Sequence, residues 1–159
     1  MSKQSEPVQN VNGLTLHPDK THVGDCWVKG QGFEFLGYRF EAGQRQVRKK
    51  SLMALRDKIR AKTKRSGEYS IAYVIASINP ILKGWFGYFQ HAHQFTFSSI
   101  DGFVRRRLRA MLRRQNHSLG QGICLRDHTR WPNAFFAGLG LFTMHEAHCL
   151  ARQSRCGNN

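Results

Sequence analysis

From Leu52 the apolar positions recur at helical spacing. Leu52, Leu55 and Ile59 form one stripe, with Ser51 placed as an N-cap and Gly67 beyond the end. Ser70 is placed to cap a second helix with Ile71, Val74, Ile75 and Ile78 on one face. Asn79-Pro80 then interrupts the pattern. Asn as N-cap and Pro at the first helical position predict a new helix from Pro80 to about Ala92, set at a sharp angle to the last. The cleanest amphipathic pattern is Ile100, Phe103, Val104, Leu108, Met111 and Leu112, in a helix capped by Ser99. Gly120 and Gly122 mark a loop. A shorter helix is predicted from Pro132 to the Gly138–Gly140 break, and "TMHEAHCLARQ" closes the chain as a last helix.

The first third of the chain has a different period. "VNGLTLHPDKTHV" alternates around Leu14 and Leu16 and turns at His17-Pro18-Asp19. "GFEFLGYRF" alternates Phe33, Phe35, Tyr38 and Phe40. Two short strands forming a hairpin are predicted, with Gly37 as a bulge or close backbone approach. Two strands alone are marginal in water, so the hairpin needs another surface to pack on. Residues 1–10 are polar and expected to be disordered. The fold class is mainly α, with an N-terminal β-hairpin.

Charge sets the class of partner. Net charge is +15, from 25 Lys+Arg against 10 Asp+Glu in 159 residues. Residues 1–46 are neutral overall, whereas residues 47–115 carry sixteen basic and three acidic side chains. A surface that only solubilises mixes both signs; one this one-sided fits a polyanion, nucleic acid first. Arg105, Arg109 and Arg113 repeat every four residues, flanked by Arg106 and Arg114, and have no Glu partner at i±4. Such a stripe suits a phosphate backbone.

Other chemistry is weakly supported. The ten acids form no D-D, D-x-D or E-x-x-E pair; Asp57 and Asp101 fit helix first-turn or ion-pair roles, and no catalytic residue is assigned. Cys124, His128, His145, His148 and Cys149 follow no standard zinc spacing, and His91 and His93 are a further pair, so neither metal nor cofactor is expected. Four scattered cysteines suit a reducing, cytoplasmic setting. The N-terminus lacks an apolar signal-peptide core, and the uncharged stretch at residues 69–82 is too short to span a bilayer. In "GWFGYF", Trp85 and Phe89 stand at i,i+4 and suit a core, while Trp85 and Tyr88 beside Lys83 also suit stacking on unpaired bases.

"GFEFLGYRF", "INPILKGWFGYF", "RRRLRAMLRRQ" and "RWPNAFFAGLGLF", in that order, resemble the C-terminal part of bacterial group II intron reverse transcriptase/maturases. The resemblance runs from about Leu14 to Arg155 and implies two parts. Residues 11–46 would be the trailing edge of a reverse-transcriptase palm. Lys20 matches the basic residue of its penultimate block, and Phe35, Leu36, Gly37 and Tyr38 match the primer-grip block. Residues 47–159 would be the helical maturase domain, also called domain X or thumb. The family's polymerase site includes a Tyr-x-Asp-Asp loop, and no such tetrapeptide occurs in this chain. The resemblance therefore implies a non-enzymatic RNA-binding domain that grips intron RNA and assists its folding and splicing. The expected RNA contacts are Lys49, Lys50, Arg56, Lys83, Arg105, Arg106, Arg109, Arg113 and Arg114, with Trp85 and Tyr88. The alternative is the C-terminal half of a split RNA-directed DNA polymerase, active only with an N-terminal reverse-transcriptase fragment as partner.

Overall fold

The computed structural model describes residues 27, 30, 32–64, 69–118 and 120–156. The expectations placed on residues 1–26, Lys20 among them, lie outside the described residues. The elements run β1 (Phe33–Phe35), β2 (Tyr38–Glu41), β3 (Gln44–Val47), α1 (Lys49–Lys62), α2 (Ile71–Phe89), α3 (Gln94–Gln115), α4 (Leu125–Arg130), α5 (Asn133–Gly138) and α6 (Met144–Cys156). The chain is thus mainly helical, with a small antiparallel sheet at its N-terminal side.

The sheet departs from the sequence expectation. "GFEFLGYRF" is not one strand; it folds back on itself as β1 and β2, and β3 adds a third strand in the order β1-β2-β3. Both turns have two residues with positive φ, Leu36-Gly37 (48° and 81°) and Ala42-Gly43 (50° and 69°). That pattern matches the twist of antiparallel strands. Gly37 is therefore a turn residue and not a bulge. A Cβ at Gly37 would also stand 3.2 Å from the Phe89 ring, so glycine answers both a backbone and a packing demand.

The sheet finds its packing surface on the end of α2. The Tyr38 ring meets Phe89 edge-on at 5.1 Å. The Tyr38 hydroxyl donates to the Tyr88 carbonyl at 3.0 Å, and the Tyr88 hydroxyl donates to the Leu36 carbonyl at 3.1 Å. Arg48 N–H donates to Gly37 O, and an Arg48–Glu34 ion pair at 2.7 Å joins the start of α1 to β1. α1 begins at Lys49 with Arg48 as N-cap residue, so Ser51 lies inside the helix.

α2 corrects the largest helical expectation. There is no corner at Asn79-Pro80; one helix of 19 residues runs through Pro80. A proline removes one N–H and crowds the carbonyl four residues earlier. Here both Pro80 and Ala76 are exposed, so the carbonyl left without its helical donor is on the solvent side. Asn79 is used elsewhere: its Nδ2 donates to Gly140 O at 2.8 Å and its Oδ1 accepts from Phe142 N–H at 2.9 Å. It fixes the link between α5 and α6 instead of capping a helix. Ser70 does cap α2, accepting from Tyr73 N–H at 3.3 Å.

α3 begins earlier than Ser99. His93 is its N-cap, accepting from Phe95 N–H through Nδ1, and the helix runs 22 residues. The core forms where α1, α2, α3 and α6 meet. Ile59, Ile78, Leu82, Phe97, Ile100, Leu108, Phe136 and Met144 have no exposed surface. At about 25 cal/mol per Å² of apolar area, this burial is the main support for the helices. Asp101, buried on α3, accepts from Met144 N–H at 3.1 Å and His145 N–H at 2.9 Å. It caps α6 from another helix and docks α6 onto α3. Burial raises its carboxyl above the usual range, against the lowering effect of those two N–H groups.

Candidate nucleic-acid interface

The predicted arginine stripe divides into two kinds of residue. Arg109 is only 3% exposed. Its Nε donates to the Trp131 carbonyl at 2.9 Å, its Nη2 donates to Asn133 Oδ1 at 2.9 Å, and its guanidinium lies 5.4 Å from the Phe136 ring centre. Burial, and then the neighbouring Arg105 charge, lower its pKa. Arg113 pairs with Asp127, Nη1 standing 2.8 and 3.0 Å from the two carboxylate oxygens and 3.4 Å from Cys124 Sγ. Cys124 also donates to Asp127 Oδ2 at 3.0 Å. Burial pushes the Asp127 carboxyl up, but hydrogen bonds from Cys124 and Arg113, with the Arg113 charge, outweigh it and leave Asp127 below the usual range.

These two arginines hold α4, α5 and the loop before them against α3. Gly122 permits the close approach: with φ +73°, a Cβ there would lie 2.7 Å from Ala110 N and 3.0 Å from Arg106 O. The missing helix-face partner of the stripe is thus an acid fourteen residues downstream of Arg113. Arg109 and Arg113 are taken from a continuous phosphate-tracking surface, because later helices cover that side of α3.

The other basic candidates remain accessible. Lys49, Lys50, Lys83, Arg106 and Arg114 are exposed, and Arg56 and Arg105 are half-buried. Lys83 Nζ lies 5.8 Å from the Phe142 ring centre. Arg105 lines a cavity of about 470 Å³ beside Asp101 and Glu146. Lys58, Arg60, Lys62 and Lys64 add exposed positive charge along α1 and its end. In α1 and α3 the only acids are Asp57 and the buried Asp101; Asp57 pairs with Arg60 at 2.6 Å. The unpaired positive excess of these helices faces solvent.

Arg107, outside the predicted set, has a structural role. It donates through Nε to Thr63 Oγ1 at 3.0 Å and through Nη2 to Thr63 O at 2.6 Å. This pins the C-terminal end of α1 to α3 and fixes the spacing of the two basic helices.

The aromatic candidates also separate. Trp85 packs against Phe89 at 4.6 Å and Phe97 at 6.4 Å, so it belongs with the core. Tyr88 is exposed but spends its hydroxyl on the sheet. A stacking surface that the sequence pattern did not single out lies at the start of α2. Tyr69 and Tyr73 are 60% and 58% exposed and stack on each other at 4.9 Å. Tyr69 precedes the helix and so falls outside the apolar stripe used to find it. Phe35, Leu36, Gly37 and Tyr38, the expected primer-grip segment, form the β1–β2 turn, with Phe35 and Leu36 exposed.

Among the described residues no group of three or more His, Cys, Asp or Glu is arranged to hold a metal ion. His148 is buried against Phe97 at 4.9 Å. Among the described residues no helix is long and apolar enough to cross a membrane.

No curated protein matches the chain. Residues 52–129, from the first apolar position of α1 into α4, match the family model "Group II intron, maturase-specific domain".

Proposed function

We propose that this domain binds group II intron RNA and assists its folding and splicing, with the RNA supplying the chemistry. One observation carries this function: exposed Lys and Arg side chains crowd α1 and α3, where Asp57 is the sole exposed acid. Like charges so gathered cost stability in the free protein and gain it back when phosphates replace their counter-ions. The exposed Tyr69–Tyr73 pair adds a surface on which an unpaired base can stack. The test is a splicing time course of a group II intron RNA at limiting magnesium, with and without the full chain, beside binding to an unrelated duplex RNA of equal length. Faster splicing and preferential intron binding are expected. Equal affinity for both RNAs with no change in splicing rate would reject the function.

The split-polymerase alternative is favoured by one feature, the exposed Phe35 and Leu36 at the sheet's turn. In that case primer extension appears only when a second polypeptide carrying the polymerase aspartates is added. Extension by the chain alone would overturn the assignment of no catalytic residue to it.

A further inference from the structure

We propose that Arg56, Arg60 and Arg106 form a phosphate-binding pocket around Phe103, and that it seats one backbone phosphate of the bound RNA. Arg56 and Arg60 stand one turn apart on α1, and Arg106 comes from α3. Their guanidinium carbons lie 5.7, 5.5 and 5.5 Å from the centre of the same phenyl ring. All three charges therefore converge on one place. Between them is a cavity of about 310 Å³, whose remaining wall is Ser99 and Gly102.

Four features make this a site and not a solvated basic surface. No acid lines the cavity among the described residues; Asp57 reaches Arg60 alone, from the exposed side of α1. The Arg56 Nε is buried without a hydrogen-bond partner among the described residues, a donor that an entering anion can satisfy. Contact with the one Phe103 ring restricts all three guanidinium groups, which lowers the ordering cost of gripping a phosphate. Arg107 fixes α1 to α3 through Thr63, so the pocket's two walls are set before any ligand enters.

Arginine suits phosphate because its planar fork donates two parallel hydrogen bonds to two oxygens. Three forks around one cavity fit a group with oxygens pointing in several directions, as a phosphate has and a carboxylate lacks. Gly102 matters as an absence of bulk. A Cβ built there meets nothing within 4 Å, so any side chain at 102 would enter open space on the pocket's wall.

The pocket's RNA ligand rests on the proposed function, while its affinity for phosphate does not, and the test separates the two. Inorganic phosphate is titrated into the full chain at constant ionic strength in chloride, while the arginine Nε–Hε NMR signals are followed. Saturable shifts confined to Arg56, Arg60 and Arg106 are expected. In the triple variant Arg56→Gln/Arg60→Gln/Arg106→Gln no remaining arginine signal takes up a saturable shift. The shifts disappear in Gly102→Met, which blocks the wall without removing charge and improves helix propensity, so misfolding does not explain their loss. A triple control, Arg45→Gln/Arg126→Gln/Arg152→Gln, removes equal charge and leaves the shifts in place. Shifts that never saturate, or that survive Gly102→Met, overturn the pocket.

In the RNA arm, the pocket triple weakens intron binding at least tenfold more than the control, and its log K versus log salt slope falls by about 0.7–0.9 per lost phosphate contact. Equal RNA affinity of the two triples, with phosphate shifts intact in the wild type, overturns the assignment of the pocket to RNA. Absent RNA binding in the wild-type chain, with saturable phosphate shifts retained, supports the pocket and rejects the proposed function.

Discussion

Replacing Arg109 by alanine separates a buried structural arginine from a surface phosphate contact. The side chain donates to the Trp131 carbonyl and to Asn133, and packs over Phe136. Its removal leaves a buried carbonyl unpaired, for which the cost is about 1–3 kcal/mol. Loss of the packed stem adds a cavity contribution. Against this, the charged group no longer has to be desolvated, the effect that lowers its pKa in the folded protein. The balance is a destabilisation of about 2–4 kcal/mol. For a domain of this size that lowers Tm by roughly 5–15 °C. Urea unfolding reads the stability, and amide exchange locates the loss to residues 125–139. Arg109→Met keeps much of the stem and should recover the packing part alone. Intron RNA binding, measured where the variant is still folded, should keep its salt slope. A variant as stable as wild type within about 0.5 kcal/mol, with a slope reduced by about 0.7–0.9, would refute the structural role and restore Arg109 to the phosphate surface.

Asp101→Ala removes the acceptor for two N–H groups at the start of α6, and should cost about 1–3 kcal/mol with early exchange in α6, checked by urea unfolding and hydrogen exchange. The two buried aspartates oppose each other in acid. Asp127, with its folded pKa lowered, contributes stability that is present above its unfolded value and is lost as pH falls through the lower folded value; Asp101, with its pKa raised, contributes in the reverse sense, its share complete in acid and lost as pH rises through the folded value. Asp127→Asn should therefore flatten the acid limb of a stability–pH curve, and Asp101→Asn should steepen it. Asn79→Ala should cost about 1–2 kcal/mol and loosen residues 139–143 without breaking α2 at Pro80, which circular dichroism and amide exchange can distinguish. Tyr73→Ala should weaken binding to single-stranded RNA by about 1–3 kcal/mol while leaving the unfolding midpoint near the wild-type value, because that ring is exposed.

The helices were legible in the sequence because their apolar stripes are long. Leu55 and Ile59, Val74 to Ile78, and Ile100 to Leu112 all enter the core as spaced. What the sequence concealed depends on distant partners. Asn79-Pro80 has every local mark of a helix boundary, but Pro80 faces solvent, where the lost hydrogen bond is tolerated, and Asn79 is claimed by residues sixty positions away. Ser99 looks like a cap, yet His93 takes that role through a ring nitrogen, a less common acceptor. Leu36-Gly37 hides a hairpin turn because leucine rarely takes positive φ. The four-residue repeat of arginines was real, but periodicity does not reveal which side a later element covers. Asp127 and the Trp131 carbonyl decide that, and Arg109 and Arg113 go inward while Arg106 and Arg114 stay out. The convergence of Arg56, Arg60 and Arg106 joins two helices separated by α2, so no reading of either helix alone finds it.

The most direct test of RNA binding by the basic helices is the salt dependence of intron RNA affinity for the full chain and for a variant with Lys49, Lys50, Arg106 and Arg114 changed to Gln. These four side chains are exposed and make no ion pair among the described residues. The predicted result is a slope that falls by about 3 in log K per log salt, at 0.7–0.9 for each phosphate contact, with the unfolding midpoint unchanged. An unchanged slope, in a variant that folds as well as wild type, would contradict it.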